Sequence, residues 1–578
     1  MNRLKLSNGK KLKGIGFAYT TIMKKIVFIS AICFAVFSSC HSNKSDSSNS
    51  SNDSADNSGN SGKSEKDKKI SARDQSIDST NAYNNLFFDS SAMVKFFADN
   101  NVNDTLVRRM TSFYNTRNYQ FAWFSDSGLT EQARGFWNMH NYQTTYGKDS
   151  SLKDKVLQEK MDAYTQDEDG FAVSATDKNL LNTELKLTQH FIIYSLNNLQ
   201  EGYIKRKELE RFIPSKKADA LALADSLISK KHKDNKYYED INKAYGLLKE
   251  QLRSYVAIAK EGGWPALTIS AKTIKKGNSS TAITQLKKRL HITGDMNIDT
   301  SALFNDDLEA GIKKFQERFG YKPTGVLTDQ LVKDMNVPVI NRIEQILLNM
   351  GRMQWMINEP EGQMIVVNIP EFILHVKDGA TKIFDMNVVV GKDGHNTMMF
   401  TGNLNQVVFN PYWNIPSSIV KKEILPAMHR NRRYLASHHM EVTGNAGGLP
   451  VIRQLPGKDN ALGKVKFLFP NSFNIYFHDT PAKSLFNQDK RAYSHGCIRL
   501  EEPFKMLSYV LKDDSEWDQA RIDSTLNTGH EKFVKLKHPL PVLITYYTAW
   551  VDDNGALHFA DDIYGHDKIA IEKMFTKN

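Results

Sequence analysis

The stretch Tyr493-Ser494-His495-Gly496-Cys497-Ile498-Arg499-Leu500 places a cysteine directly after a glycine and two positions after a histidine. A thiol attacks carbonyls only as the thiolate, and free cysteine has a pKa of about 8.5, so a nucleophilic cysteine needs a base or a positive neighbour. His478 ends a predicted strand nineteen residues earlier, and a base presented from an adjacent strand is common in Cys–His catalysis. Gly496 lets the backbone bend at the nucleophile, so that main-chain N–H groups face a developing oxyanion. These segments predict an acyl-transfer site, although spacing alone leaves open whether His478 or His495 reaches the sulfur.

Two other roles fit the same residues. A lone cysteine is more often a small buried hydrophobic residue than a nucleophile. Zinc is the second alternative, because His478, His495 and Cys497 are residue types that it binds. No fourth ligand stands at a familiar spacing, so zinc is the less favoured alternative and we expect no metal ion here.

Short runs rich in β-branched and apolar residues predict strands on both sides of this motif. They are Met364 to Asn368, Phe372 to Val376, Met386 to Val390, Gln406 to Phe409, Asn474 to His478 and Val542 to Tyr547. A charged insert between Lys421 and about Asp459 interrupts them, and an insert of this length is often a lid over a site. We therefore expect a β-rich domain over residues 345–560, with a lid subdomain at about 421–459.

The preceding sequence has helical patterns. Apolar residues at helical spacing predict helices over Thr183 to Gln200 and Tyr237 to Ala259, so we interpret residues 85–268 as a helical scaffold domain without a catalytic motif. Residues 273–337 form a second helical unit. Its stretch Leu308 to Gly325 resembles the small three-helix peptidoglycan-binding domain, and a generic helical hairpin is the alternative.

The N-terminus has the pattern of an export signal. Lys24-Lys25 precede a twelve-residue apolar run, which is shorter than the roughly 20 residues that span a bilayer. Residues 1–40 resemble a lipoprotein signal, with Met23 as a possible true start and Cys40 as the lipidated residue; a plain secretory signal or an uncleaved anchor is the alternative. Residues 41–84 begin with a Ser/Asn-rich tract and predict a disordered tether.

Composition supports an exported protein of several domains. The chain has 578 residues, with 40% hydrophobic and 24% charged side chains, which excludes a polytopic membrane protein. Three cysteines exclude a disulfide-stapled scaffold. The net charge is +11, and subtracting the seven basic side chains of residues 1–39 leaves +4. We therefore expect no nucleic-acid partner.

The spacing of His478 from Ser494-His495-Gly496-Cys497 resembles the signature of the L,D-transpeptidases, whose catalytic fold is the YkuD-type domain. The segments Asn410 to Ile419 and His478 to Lys483 are similar to the large YcbB-like subgroup, in which a scaffold and a peptidoglycan-binding domain precede a catalytic domain with a lid. The resemblance covers roughly residues 100–570. It implies an α+β multidomain fold with a β-rich YkuD-type catalytic domain.

The resemblance also assigns roles to residues. Cys497 is implied as the nucleophile and His478 as the general base, oriented by the backbone carbonyl of Asp479, and the Gly496 and Cys497 amides as the oxyanion hole. A second set is implied to contact substrate: Ser494, His495, Arg499, Tyr476 and Trp413. Arg499 suits a stem-peptide carboxylate because its donors form a fork. Many members of the large subgroup have serine where this chain has His495, so a required role for His495 stays open.

The implied reaction is acyl transfer through a Cys497 thioester, which releases D-alanine from a tetrapeptide stem and forms a 3-3 cross-link in peptidoglycan. No cofactor is implied, and carbapenems are implied inhibitors. The implied partners are stem peptides, glycan strands and a membrane that holds the lipid anchor. The implied location is the periplasm, at the inner face of the outer membrane in a Gram-negative cell. The alternatives are an L,D-carboxypeptidase, a non-catalytic wall-anchoring lipoprotein, and attachment of a protein or D-amino acid to the wall.

Overall fold

The computed structural model describes residues 70–147, 150–166, 173–198, 213–229, 243–355 and 362–576. The predicted signal, Cys40 and the first part of the predicted tether lie outside these residues. Within them, no helix is both long enough and apolar enough to cross a membrane.

The N-terminal helical domain packs five helices and a small hairpin around an aromatic core. Its helices are α1 (Ser90–Asp99), α2 (Asp104–Asn115), α3 (Glu131–Thr145), α4 (Lys155–Gln166) and α5 (Lys178–Asn198), and its hairpin pairs β1 (Phe124–Ser125) with β2 (Gly128–Leu129). Thr130 caps the N-terminus of α3, and its hydroxyl accepts a hydrogen bond from the Ala133 N–H. Trp123, Phe136 and Phe191 are fully or almost fully buried at the centre.

The tether prediction is wrong for residues 70–84. Ile77, Ala82 and Tyr83 are buried, and Ala82 forms a β-bridge with Lys216. These apolar side chains cover the helical domain, and their burial offsets the entropy that ordering the segment costs.

A second helical layer joins distant parts of the chain. Helices α6 (Ala220–Ile228) and α7 (Lys243–Lys260) share one apolar core with α11 (Val339–Met353), the hairpin β15 (Ala549–Val551)–β16 (Leu557–Phe559) and α17 (His566–Met574). The predicted start of the catalytic domain at residue 345 therefore falls inside α11. The sequence patterns separated these segments, whereas the fold packs them together.

The small unit before α11 has three helices, α8 (Thr281–Ile292), α9 (Asp306–Arg318) and α10 (Asp329–Met335). The predicted face of Ile283, Leu286 and Leu290 is fully buried against Leu308, Ile312 and Phe315 of α9. The helical periodicity in the sequence is confirmed here.

The β-rich domain is a nine-stranded mixed sheet in the order β12-β5-β13-β11-β10-β6-β14-β3-β4, and β4 also pairs with β5, so the sheet closes on itself. Its strands are β3 (Gln363–Asn368), β4 (Ile373–Asp378), β5 (Thr381–Gly391), β6 (Phe400–Phe409), β10 (Val465–Leu468), β11 (Phe477–His478), β12 (Ala492–Ser494), β13 (Ile498–Leu500) and β14 (Lys532–Thr545). Helices α15 (Pro503–Leu511) and α16 (Gln519–Asn527) pack into the same core.

The insert forms a separate small unit beside this sheet. It contains β7 (Trp413–Asn414), β8 (Met440–Ala446) and β9 (Leu449–Gln454), which pair in the order β7-β9-β8. Its helical part comprises α12 (Ser417–Ile419), a π-helical turn (Val420–Ile424), α13 (Leu425–Arg430) and α14 (Tyr434–Ser437). Ile415, Val420 and Ile452 lie in a core of its own. We refer to this unit as the lid.

Buried ion pairs hold the N-terminal helical domain to the C-terminal part of the chain. Arg352 of α11 binds Glu131 at the start of α3 and, at 2.7 Å, Asp567 of α17. Asn138 of α3 accepts a 2.7 Å hydrogen bond from the backbone N–H of Thr401 in β6. The helical domain is therefore fixed next to the sheet that carries Cys497.

Candidate active site

Three neighbouring strands bring the predicted site residues to one face of the sheet. Strands β11 and β13 are parallel, with His478 opposite Arg499, and β10 places Lys466 opposite His478. Because side chains alternate along a strand, Tyr476 and Cys497 lie on the same face as these residues. Phe467, Phe477, Ile498 and Leu500 point the other way into the core. The apolar alternation thus fixes which side the reactive residues face.

His478 is buried, and its ring is oriented by the neighbouring residue. Its Nδ1 lies 2.5 Å from the carbonyl oxygen of Asp479. Because a carbonyl oxygen only accepts, Nδ1 carries the proton and Nε2 keeps a free lone pair. Burial and the charges of Arg499 and Lys466 lower the pKa of His478 to about 3, although the bond to Asp479 acts in the opposite direction. His478 is therefore a neutral imidazole at pH 7, able to accept a proton.

The segment around the cysteine is a tight turn closed by Ser494. The Ser494 hydroxyl donates to the Cys497 carbonyl at 2.5 Å and accepts from the Gly496 N–H at 3.2 Å. Gly496 has φ of +106°, a conformation that other L-residues rarely adopt. From the opposite side, Thr397 donates its hydroxyl to the Gly496 carbonyl at 2.7 Å.

These contacts change two predicted roles. Ser494 is 2% exposed and is occupied by the turn's own backbone, so it positions Cys497 and does not face a substrate. The predicted oxyanion donor at Gly496 is engaged by Ser494 in this structure. Of the two predicted donors, this leaves the Cys497 N–H for an oxyanion.

The Cys497 thiol is partly exposed and donates to the carbonyl oxygen of Asn474 at 3.7 Å. Burial raises its pKa, while the Tyr476 N–H and hydroxyl, followed by the charges of Lys466 and Arg499, act to lower it. The ammonium nitrogen of Lys466 lies 3.8 Å from the centroid of the Tyr476 ring, within the range of a cation–π contact. Cys497 therefore rests as a thiol with a phenol and two cations near it.

Arg499 supplies one of these cations without being neutralised. Its Nε is buried and has no hydrogen-bond partner among the described residues. Burial lowers the pKa of Arg499, and the nearby Cys497 acts to raise it. A buried guanidinium nitrogen with an unused donor suits an anionic or carbonyl group of a ligand.

A cavity of about 250 Å³ opens at the sulfur. Cys497, Gly496 and His495 line it together with Asn474, and Thr165 of α4 reaches it from the helical domain. The N-terminal helical domain therefore contributes to the wall of the site.

Two other predicted residues lie at the lid. His495 Nε2 is 2.9 Å from a carboxylate oxygen of Glu423 in the π-helical turn of the lid. Trp413 is half-buried, pairs with Gln454 in the lid sheet and packs on the lid core. His495 thus links the cysteine turn to the lid, and Trp413 belongs to the base of the lid and does not line the cavity at Cys497.

The sequence reasoning missed Lys466 and Thr397. A lysine inside the apolar run Val465–Leu468 was a signal, because a charged residue within a buried strand marks a special environment. Thr397 gave no comparable signal, since its link to Gly496 depends on a loop distant in sequence.

Comparison with known families agrees with the domain order. Residues 362–522 match the model of the YkuD family, described as an L,D-transpeptidase catalytic domain. Residues 108–252 match a "Scaffold domain", and residues 279–335 match a "Putative peptidoglycan binding domain". Cys497 and His478 both lie inside the first match.

One curated relative is a Haemophilus influenzae protein named "Putative L,D-transpeptidase". It is 33% identical over 220 residues, which cover 35% of this chain and 44% of that protein. The chain thus matches less than half the length of this relative.

Solved structures with similarity include an L,D-transpeptidase from Mycobacterium smegmatis, with 15% identity over 32% of this chain and 58% of that chain and a TM-score of 0.18. Another is an L,D-transpeptidase from Stackebrandtia nassauensis, with 15% identity over 47% of this chain and 94% of that chain and a TM-score of 0.20. TM-scores this low add no argument to the sequence matches.

Proposed function

We propose that this chain forms 3-3 cross-links in peptidoglycan by cysteine acyl transfer. The chain belongs to the L,D-transpeptidase family with a YkuD-type catalytic domain, in the YcbB-like subgroup, and this membership supports the proposal. The observation that carries this proposal is a neutral, backbone-oriented His478 on the same sheet face as Cys497, whose thiol opens into a cavity. The match of residues 279–335 to a peptidoglycan-binding family supports the choice of substrate.

The first half-reaction joins the donor stem to Cys497. The thiol proton passes to Nε2 of His478, and the sulfur attacks the carbonyl carbon of the third stem residue. The C–N bond to the terminal D-alanine breaks, and His478 returns the proton to the departing amine. The products are a Cys497 thioester and free D-alanine.

The second half-reaction transfers the stem to an acceptor. The side-chain amine of a third residue in a neighbouring stem attacks the thioester carbonyl, and His478 accepts a proton from that amine. The C–S bond breaks, an amide forms and the proton restores the thiol. The result is a bond between two third residues.

The charge that develops on the carbonyl oxygen needs fixed donors. The Cys497 N–H is one, and the unpaired Nε of Arg499 adds a positive field on the same face. One oxyanion donor is worth about 3 kcal/mol in comparable acyl transfers. The same unused donor and positive charge would let Arg499 bind a carboxylate of the stem peptide.

The test uses the purified full chain with disaccharide-tetrapeptide muropeptides. We expect mass spectrometry to find released D-alanine and a 3-3 dimer, and we expect Cys497→Ala to abolish both. Tripeptide without dimer would support the L,D-carboxypeptidase alternative. Cross-linking unchanged in Cys497→Ala would contradict cysteine catalysis and favour the wall-anchoring alternative.

Trapping of the acyl-enzyme gives an independent measurement. A carbapenem presents a strained acyl group, and we expect it to add covalently to Cys497 and give one mass increment in the intact protein. His478→Gln should slow this addition because the thiol then lacks its proton acceptor. No adduct on the folded wild-type protein would contradict the proposal.

For location, we propose export to the periplasm and attachment by a lipid at Cys40. The short apolar run followed by Ser38, Ser39 and Cys40 supports this proposal. Metabolic labelling with palmitate should mark the wild-type protein and should fail to mark Cys40→Ser. Equal labelling of both would exclude Cys40 as the lipidated residue.

A further inference from the structure

A cleft of about 560 Å³ lies between the N-terminal helical domain and the catalytic sheet. It shares five lining residues with the smaller cavity at Cys497: Thr165, Asn396, Met398, Ser472 and Phe473. The two spaces therefore adjoin, and a ligand in the larger cleft can extend towards Cys497.

The walls of this interdomain cleft include several amide, hydroxyl and aromatic groups. Helix α3 and the residue after it contribute Trp137, Asn141 and Tyr146, and the catalytic domain contributes Asn396 and Phe473. The Trp137 Nε1 and the Asn396 Oδ1 are buried and have no hydrogen-bond partner among the described residues. A donor and an acceptor that the protein leaves unpaired point to a ligand with both types of group.

Two of the ionisable side chains in the walls carry no unbalanced charge, Glu131 and His566. Glu131 is held by Arg352. Burial and the nearby charge of Arg352 lower the pKa of His566 to about 4, so its imidazole is uncharged at pH 7. Arg134, Asp393 and Lys573 also line the cleft, and the hydroxyl and amide groups of an uncharged ligand can hydrogen-bond to such side chains without adding a charge of their own.

The cleft is mechanically linked to the cysteine turn. Asn396 and Met398 flank Thr397, whose hydroxyl holds the Gly496 carbonyl and accepts from the Gly391 N–H at 2.9 Å. Tyr564, also in the cleft wall, accepts from the Thr397 N–H at 3.2 Å. A ligand in the cleft thus contacts the segment that positions Cys497.

We propose that the interdomain cleft binds the glycan backbone that carries the donor stem, an uncharged N-acetylated oligosaccharide. This inference rests on the proposed function. Sugar rings place C–H groups on aromatic faces, and their acetamido and hydroxyl groups match the amide donors and acceptors of the walls. An extended stem advances about 3.3–3.6 Å per residue, so it can run from a glycan in the cleft into the adjoining cavity.

The experiment compares two donors with the full chain: a disaccharide-tetrapeptide and the free tetrapeptide. We expect the disaccharide to raise kcat/KM for D-alanine release at least about tenfold, the factor that 1.4 kcal/mol of binding supplies, chiefly through a lower KM. In Asn141→Ala and in Tyr146→Ala this ratio between the two donors should fall towards one. Asn179→Ala, an exposed change in α5 outside the cleft wall, should keep the wild-type ratio.

Each result decides between the two proposals. Turnover of both donors with equal kcat/KM overturns the glycan site and keeps the transpeptidase proposal. A disaccharide advantage that survives both cleft substitutions, in proteins with wild-type melting temperatures, places the sugar elsewhere and also overturns it. No D-alanine release from either donor overturns the proposed function and this inference with it.

Discussion

Replacing Lys466 by methionine should make the Cys497 thiol harder to ionise, because it removes a positive charge while keeping a long apolar side chain. The ammonium group lies over the Tyr476 ring, and Tyr476 neighbours Cys497 across one strand spacing. Strands are about 4.8 Å apart, which puts this charge at roughly 7 Å from the sulfur. With an effective dielectric constant of about 20, the interaction is worth about 2 kcal/mol, or roughly 1.5 pKa units.

The wild-type Cys497 thiol ionises only at high pH. Burial raises the pKa of Cys497 above its ordinary value of 9.0. At pH 7 the thiolate fraction is then below about 1%. His478, with its pKa lowered to about 3, stays neutral from pH 5 upward and does not form an imidazolium pair with the sulfur at rest. The reactivity of Cys497 should therefore rise about tenfold per pH unit from pH 6 to pH 9.

The assay is iodoacetamide alkylation of the ligand-free full chain, followed by intact-mass spectrometry, with Cys497→Ala as the background for the other cysteines. At pH 8, Lys466→Met should react about 10- to 50-fold more slowly than wild type, the factor that roughly 1.5 pKa units supplies. Lys466→Arg, which keeps the charge, should stay within about threefold of wild type.

Two results would refute this reasoning. A wild-type rate that is flat between pH 5 and pH 8 would show a preformed thiolate–imidazolium pair. Equal rates for Lys466→Met and wild type, with unchanged melting temperatures, would show that the lysine charge does not reach the sulfur.

Three other predictions follow from contacts around the site. Ser494→Ala removes two hydrogen bonds inside the cysteine turn, so it should lower the free energy of unfolding in urea by about 2 kcal/mol. It should also slow Cys497 acylation at least about tenfold, measured as the rate of carbapenem adduct formation. An unchanged acylation rate would show that Ser494 does not position the cysteine. Arg352→Met leaves Asp567 buried without its partner, and it should lower the free energy of unfolding in urea by about 3–5 kcal/mol at pH 7. Because burial already raises the pKa of Asp567, protonation of this carboxylate at pH 5 should recover part of the loss. A loss under about 1 kcal/mol at pH 7 would contradict a tight interdomain ion pair. His495→Ser removes the exposed contact between His495 and Glu423. Exposed pairs of this kind are worth at most about 1 kcal/mol, so kcat/KM should change by no more than about fivefold. A hundredfold loss of kcat/KM would show that His495 acts on the substrate.

Local sequence patterns predicted the parts of the fold that depend on residues close together in the sequence. The helical spacing of Ile283, Leu286 and Leu290 and the apolar alternation around Cys497 both follow from which face is buried. The motif around Cys497 and His478 was readable because a glycine turn and a strand-end histidine are local features. The bond from His478 to the Asp479 carbonyl is also local, since the two residues are adjacent.

Features that join distant segments were not predictable. The closure of the sheet by β4 and β5, and the packing of α6 and α7 on α11, β15 and β16, depend on pairings that no single periodicity encodes. Ser494 was assigned to substrate through the resemblance to the family signature, whereas its burial inside the turn appears only in three dimensions. Residues 70–84 follow a Ser/Asn-rich tract and were predicted to be disordered with it, yet the apolar side chains of Ile77 and Tyr83 are buried in the fold.

In the mechanism that we propose, the arrangement of charges lets a thiol with a raised pKa act as a nucleophile. A thiolate that persisted at rest would be open to oxidation in the extracytoplasmic location that we propose. At rest the thiol donates a hydrogen bond to the Asn474 carbonyl, and this bond favours the neutral form. In that mechanism a donor carbonyl displaces this contact, neutral His478 takes the proton, and the positive charges of Lys466 and Arg499 stabilise the sulfur and the oxyanion. Ionisation is thereby coupled to the presence of a substrate, and Lys466→Met should slow acylation more than it weakens donor binding.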